Sequence, residues 1–118
     1  MSARVRLHRL LRALFRIEVW NIGIARVSPE ELVTDGALGN IRWASLTPNP
    51  RLRADPVFWQ APDGMRILYE ELPLLAGRAV ICSIPVAELE GGLAARVEIE
   101  RPFHLSYPQL VEEDGVTY

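Results

Sequence analysis

From Asp55 to Glu100 the chain repeats one short rhythm: a run rich in β-branched, aromatic or alternating residues, then a turn marked by glycine, proline or aspartate. Val57-Phe58-Trp59 and Met65 to Glu70 flank Pro62-Asp63-Gly64, where glycine supplies the positive φ that tight turns require. Gly77-Arg78 opens a third run, Ala79 to Ile84, and Gly91-Gly92 precedes a fourth, Ala95 to Glu100, which alternates apolar with polar side chains. Turns this short join neighbouring antiparallel strands, so the interval is constrained to a four-stranded antiparallel unit.

The flanks extend that pattern. Arg16 to Val27 carries Ile17, Val19, Trp20, Ile22 and Ile24 and reads as a strand, and Ile41 to Leu46 reads as a shorter one. Between them, Ser28-Pro29-Glu30-Glu31 has an N-cap, a proline at the first helical position and acids in the first turn, which predicts a single helical turn through Val33. Downstream, Gln109-Leu110-Val111 and Val116-Thr117-Tyr118 bracket an acidic turn, Glu112 to Gly115, and repeat the strand, turn, strand order of Val57 to Leu68. Four short antiparallel strands followed by the start of the same order predict an all-β fold, a partial β-propeller with about one complete four-stranded blade and flanking strands. Its domain spans residues 17–118 and is expected to be incomplete at its C-terminus. Open sheet edges in such a unit predict self-association.

Residues 1–16 differ. Arg4, Arg6, Arg9, Arg12 and Arg16 surround Leu7, Leu10, Leu11 and Leu14, whose spacing places the leucines on one helical stripe, and no acid precedes Glu18. A short basic amphipathic helix is expected, packing its leucines on the following sheet. Contact with an anionic membrane surface and a linker to an upstream domain are the alternatives.

Composition sets outer bounds. The 118 residues are 49% hydrophobic and 24% charged, enough apolar material for one folded core. All basic side chains are arginine, yet the net charge is −2, which argues against a nucleic-acid partner because counterion displacement needs a basic surface. Cys82 stands alone and reads as a small core residue, so neither a disulfide nor a metal set is expected, and no cofactor motif is present. No apolar run reaches membrane-spanning length and no signal peptide is visible, so a cytoplasmic protein is expected.

Three chemically active residues fall near strand ends. Asp55 precedes Pro56, which is expected to hold it extended and aim its carboxylate along the strand start. Glu70 and Glu71 are adjacent, so only one can face a pocket; parity with Leu68 favours Glu70 and leaves Glu71 on the opposite face, where its replacement by Gln is expected to do little. His104 precedes a strand with Ser106 and Tyr107 as further polar contacts, and Trp59, with Trp20 and Trp43, offers broad apolar ring faces. Local backbone bonding by Asp55, a solvated Glu70-Glu71 pair, a structural His104 and core tryptophans are the competing readings.

The same residues carry a resemblance. From about Trp20 to its end, the chain resembles the N-terminal part of the five-bladed propeller domain of glucosamine inositolphosphorylceramide transferase proteins and related bacterial proteins, a domain similar to glycoside hydrolase family 43. The matching elements are Ala54-Asp55-Pro56, Leu68-Tyr69-Glu70, Gly77-Arg78, His104-Leu105-Ser106-Tyr107-Pro108 and Asp114-Gly115-Val116-Thr117-Tyr118. The resemblance implies a carbohydrate-active domain that processes or binds a glycan or glycolipid. Asp55, Glu70 and His104 are then the expected catalytic set, Glu70 being favoured over Glu71 by the resemblance together with parity, and Ser106, Tyr107 and Trp59 the substrate contacts. Family members continue past the position of Tyr118 into a strand ending in Pro-Glu and further blades. In family 43 hydrolases the first-blade aspartate is the general base and the other carboxyls come from later blades, so only Asp55 has a matching catalytic position. A chain with this one position is expected to be catalytically incomplete alone. The alternative is a noncatalytic structural or protein-interaction part of a larger glycan-modifying protein.

Overall fold

The structure is a computed structural model that describes residues 19–45, 51–73, 77–91 and 95–118. It is a mostly β protein with one helix among the described residues. The helix expected over 1–16 lies outside them.

Strand β1 (Gly23–Ala25) pairs antiparallel with β2 (Ile41–Trp43). The strand expected from Arg16 to Val27 is therefore short where it is described, because the chain turns after Ala25 to enter helix α1 (Pro29–Asp35). Ser28 caps α1 with a full capping box: its Oγ accepts from Glu31 N–H at 3.1 Å, and Glu31 Oε2 accepts from Ser28 N–H at 2.8 Å. The helix runs past the predicted single turn because Gly36 takes the left-handed conformation at φ 65° and donates its N–H to Leu32 O. None of its residues is buried, so caps rather than packing maintain it. At Gly23 the limit is space, since a Cβ there would lie 2.7 Å from an Ile41 methyl carbon.

The expected four-stranded unit is present as an antiparallel meander in sequence order: β3 (Arg51–Ala61), β4 (Gly64–Pro73), β5 (Val80–Pro85) and β6 (Arg96–Ile99). Pro62 and Asp63 form the tip between β3 and β4, with Gly64 at φ 126°. One face of β4 and β5 presents Ile67, Tyr69, Cys82 and Ile84, and Ile22, Ala44 and Leu89 complete this core. Two backbone bonds hold the cover in place, Ala44 N–H to Ile22 O at 2.9 Å and Ser45 N–H to Leu89 O at 3.1 Å. Cys82 is buried in the core, as its isolation in the sequence predicted.

The final hairpin differs from expectation in register. Strands β7 (Glu112–Glu113) and β8 (Val116–Thr117) put Glu112 and Glu113 in the ladder, and the turn is Asp114-Gly115 alone. Both turn residues have positive φ, 53° and 75°, which matches the twist of a two-residue hairpin. The three described sheets are separate and none closes on itself.

Candidate functional site

Six of the residues lining one cavity of about 360 Å³ carry its chemistry: Trp20, Asp55, Glu70, His104, Ser106 and Tyr107. Three parts of the chain build it. The register places Ala54 opposite Glu70, then shifts before Val57 pairs with Leu68, so Asp55 and Pro56 bulge out opposite Tyr69. Pro56 has no N–H to lose from the ladder, which makes this an inexpensive place for a bulge. Glu70 emerges on the cavity side of β4, as parity predicted. The segment after β6 turns back to the start of β5, where Leu105 N–H donates to Ala79 O at 3.2 Å and brings His104, Ser106 and Tyr107 to the same place.

His104 is oriented from both sides. Its Nδ1 accepts the Ala79 N–H at 3.2 Å, and its Nε2 lies 3.2 Å from Glu70 Oε1. With Nδ1 accepting, a neutral ring carries its proton on Nε2 and donates it to Glu70. Glu70 is pushed above the ordinary glutamate value, first by burial and further by the neighbouring Asp55 carboxyl, while His104 partly offsets the rise.

The backbone is strained at the same place. Asp55 stands at φ 52° and Tyr107 at φ 53°, and outside the Asp114 turn these are the positive-φ non-glycine residues among those described. Such conformations cost of order 1–3 kcal/mol each and gather where a site over-determines them. The extended conformation expected for Asp55 is not the one adopted, because the bulge, rather than the following proline, decides its backbone angles.

Two further expectations are corrected. Trp59 is not in this cavity: beyond the bulge, β3 carries it into a different cleft with Phe58, Gln60, Leu110, Glu112 and Thr117. Trp20 takes the aromatic place instead, held by Arg53 N–H donating to Trp20 O at 3.1 Å. Glu71 does face away from the cavity, but it is buried at 3% exposure and paired with Arg53 at 3.2 Å, so it is no solvated spectator. Sequence parity could separate Glu70 from Glu71, but pairing with Arg53 depends on a strand register that no local signal reveals.

Among the described residues, no group of three or more His, Cys, Asp or Glu side chains has the arrangement of a metal site, and no helix is long and apolar enough to cross a membrane. A smaller apolar groove of about 190 Å³, lined by Ile22, Ile24, Val57 and Phe58, holds no titratable group. Family models, curated proteins and solved structures provide no match to the chain.

The acid pair has a testable consequence for stability. Because Glu70 is raised in the folded state, the native protein binds more protons than the unfolded chain from the ordinary glutamate value up to the raised one. Stability should therefore fall as pH climbs through that window. Glu98 acts in the opposite sense: burial raises it, but bonds from Arg96 and Ser83 bring it below its ordinary value, so its contribution is present above that value and lost on acidification. Urea unfolding of wild type and Glu70→Gln across the acid range should show the high-side decline in wild type alone. An identical decline in both would locate the proton elsewhere.

Proposed function

We propose that this chain is part of a carbohydrate-active, propeller-like β domain, of the glycoside hydrolase family 43-like kind its motifs resemble, and that the cavity binds a sugar unit of a glycan or glycolipid. The observation that carries this reading is the convergence of Asp55, Glu70, His104 and Ser106 between two exposed aromatic side chains, Trp20 at 61% and Tyr107 at 71% exposure. A sugar ring has an apolar face that stacks on aromatic rings and a rim of hydroxyls that both donate and accept hydrogen bonds. Asp55 would accept from a hydroxyl, His104 and Ser106 would exchange hydrogen bonds with its neighbours, and the aromatic pair would cover the apolar face.

The geometry favours binding over complete catalysis. Glycosidase carboxyl pairs stand roughly 5–5.5 Å apart in retaining enzymes and 6.5–9.5 Å apart in inverting ones, leaving room for the scissile bond and water. Glu70 is instead engaged by His104 Nε2 at 3.2 Å, so it is not a free acid across the bond from Asp55. Its role in this reading is to line the cavity and orient His104, and hydrolysis would need another carboxyl group.

Glycan-array screening followed by calorimetry tests the proposal. Asp55→Asn keeps a residue that tolerates positive φ, and His104→Ala removes an exposed ring, so both should remain folded. Loss of one charged hydrogen bond is worth about 1.5–3 kcal/mol, so each should weaken the selected glycan about tenfold or more, whereas Trp59→Ala should not. Equal affinity in all three variants, or no glycan retained by wild type, would sink the reading and favour a noncatalytic interaction module.

A further inference from the structure

Directly behind the cavity, on the covered face of the sheet, lies an ion pair that the cavity chemistry does not use. Arg53 is 6% exposed and Glu71 3% exposed. Arg53 Nε donates to Glu71 Oε2 at 3.2 Å, and Arg53 Nη1 donates to Ser45 O at 2.6 Å. The guanidinium lies 5.7 Å from the centre of the Tyr69 ring, and Tyr69 Oη reaches Glu71 Oε2 at 3.4 Å. Arg53 and Glu71 are direct cross-strand partners, one step before the Ala54 to Glu70 pair and the bulge.

We propose that Arg53 and Glu71 are positioning residues for the site: their buried pair locks the β3–β4 register and thereby brings Asp55 and Glu70 into the same cavity on the other face of the sheet. Register and burial support this. On the β3 entry side, the bulge leaves a short run of cross-strand pairs, from Arg51 with Pro73 to Ala54 with Glu70. A one-residue slip in that run would swing every side chain to the opposite face and carry Asp55 out of the cavity. Buried ion pairs are poor sources of stability compared with apolar side chains, and specifying register is their best-attested use. The cavity wall is tied to the same position by main chain, Arg53 N–H donating to Trp20 O at 3.1 Å, a bond that replacement of the side chain leaves in place.

This inference deepens the reading of the cavity as the working site, and its test is made first without any glycan. The apolar double variant Arg53→Met/Glu71→Met removes both charges together and should fold, because apolar replacement of a buried pair is often neutral or stabilising. The carboxyl carbon of Glu70, labelled with 13C and assigned through Glu70→Gln, is titrated by NMR in wild type and in the double variant. The expected result is a cooperatively melting protein in which Glu70 titrates closer to the ordinary glutamate value, with affinity for the array-selected glycan reduced tenfold or more. Arg53→Lys retains the charge pair and should titrate nearer to wild type than the apolar double does.

A folded double variant whose Glu70 titrates as in wild type overturns the positioning role, even if glycan affinity falls. Should the apolar pair not fold, the neutral polar pair Arg53→Gln/Glu71→Gln is read by the same criterion. If wild type binds no glycan but the Glu70 titration moves as expected, the positioning role stands and the carbohydrate reading falls.

Discussion

Replacing Glu71 alone by Ala is expected to destabilise the protein by about 3–5 kcal/mol, because it strands a buried arginine charge beneath the sheet. The guanidinium of Arg53 sits at 6% exposure, and the bond to Ser45 O at 2.6 Å leaves its positive charge without the carboxylate that balances it. Tyr69 Oη and Cys82 Sγ lose an acceptor in the same step. Against a typical total of roughly 5–15 kcal/mol for a domain, that loss would leave a marginal fold. Chemical denaturation of the single variant beside Arg53→Met/Glu71→Met checks it: the single change should be clearly worse than the double. If Glu71→Ala unfolds at the wild-type midpoint, the pair is open to water and carries no structural charge balance.

The second large effect lies in the core. Ile84→Ala should cost about 2–5 kcal/mol, combining lost burial with the cavity left among rigid neighbours. Ile84 is 1% exposed and packs with Ile67, Tyr69, Cys82, Ile22 and Leu89. Phe58 is larger yet 62% exposed, so Phe58→Ala should stay within about 0.5 kcal/mol of wild type. Thermal or urea unfolding of both variants reads the contrast. A larger loss from Phe58 than from Ile84 would mean that the stabilising apolar face is the other one.

Much of the β architecture was legible locally. Alternation and turn chemistry placed the four strands of the meander, although β3 begins at Arg51 and so puts Asp55, expected at a strand start, inside it, and the capping signal at Ser28-Pro29 located the helix, because these signals act over a few residues and are written in residue type. Boundaries were less legible. Helix α1 outran its predicted end at Val33 because Gly36 provides a C-cap, and the Gln109 to Val111 run gave way to a ladder whose turn is only Asp114-Gly115. In both places the choice between neighbouring hydrogen-bond patterns depends on φ, which Gly36 and Asp114-Gly115 accept at positive values.

The site divides in the same way. That Glu70 and Glu71 lie on opposite faces followed from strand parity, with Glu70 on the cavity side, and Ser106 and Tyr107 accompany His104 because they share its segment. Trp59 was misplaced since parity says which face a side chain takes but not how far along the strand the cavity lies. Trp20 replaced it through a single backbone bond to Arg53, a contact across a long stretch of chain.

By itself, then, the amino-acid order determined a hairpin-connected β protein with a capped helix, and it determined that two adjacent glutamates lie on opposite faces of their strand. Those outcomes rest on torsional preferences and on the two-residue period of a strand. Tertiary structure decided the rest: the register that pairs Arg53 with Glu71, the bulge that turns Asp55 to φ 52°, and the return of His104 to Ala79 N–H. Each is a contact between distant segments whose free energy depends on burial and on partners supplied by the whole fold, and a charged side chain reads alike in sequence whether it ends in water or sealed against its counter-ion.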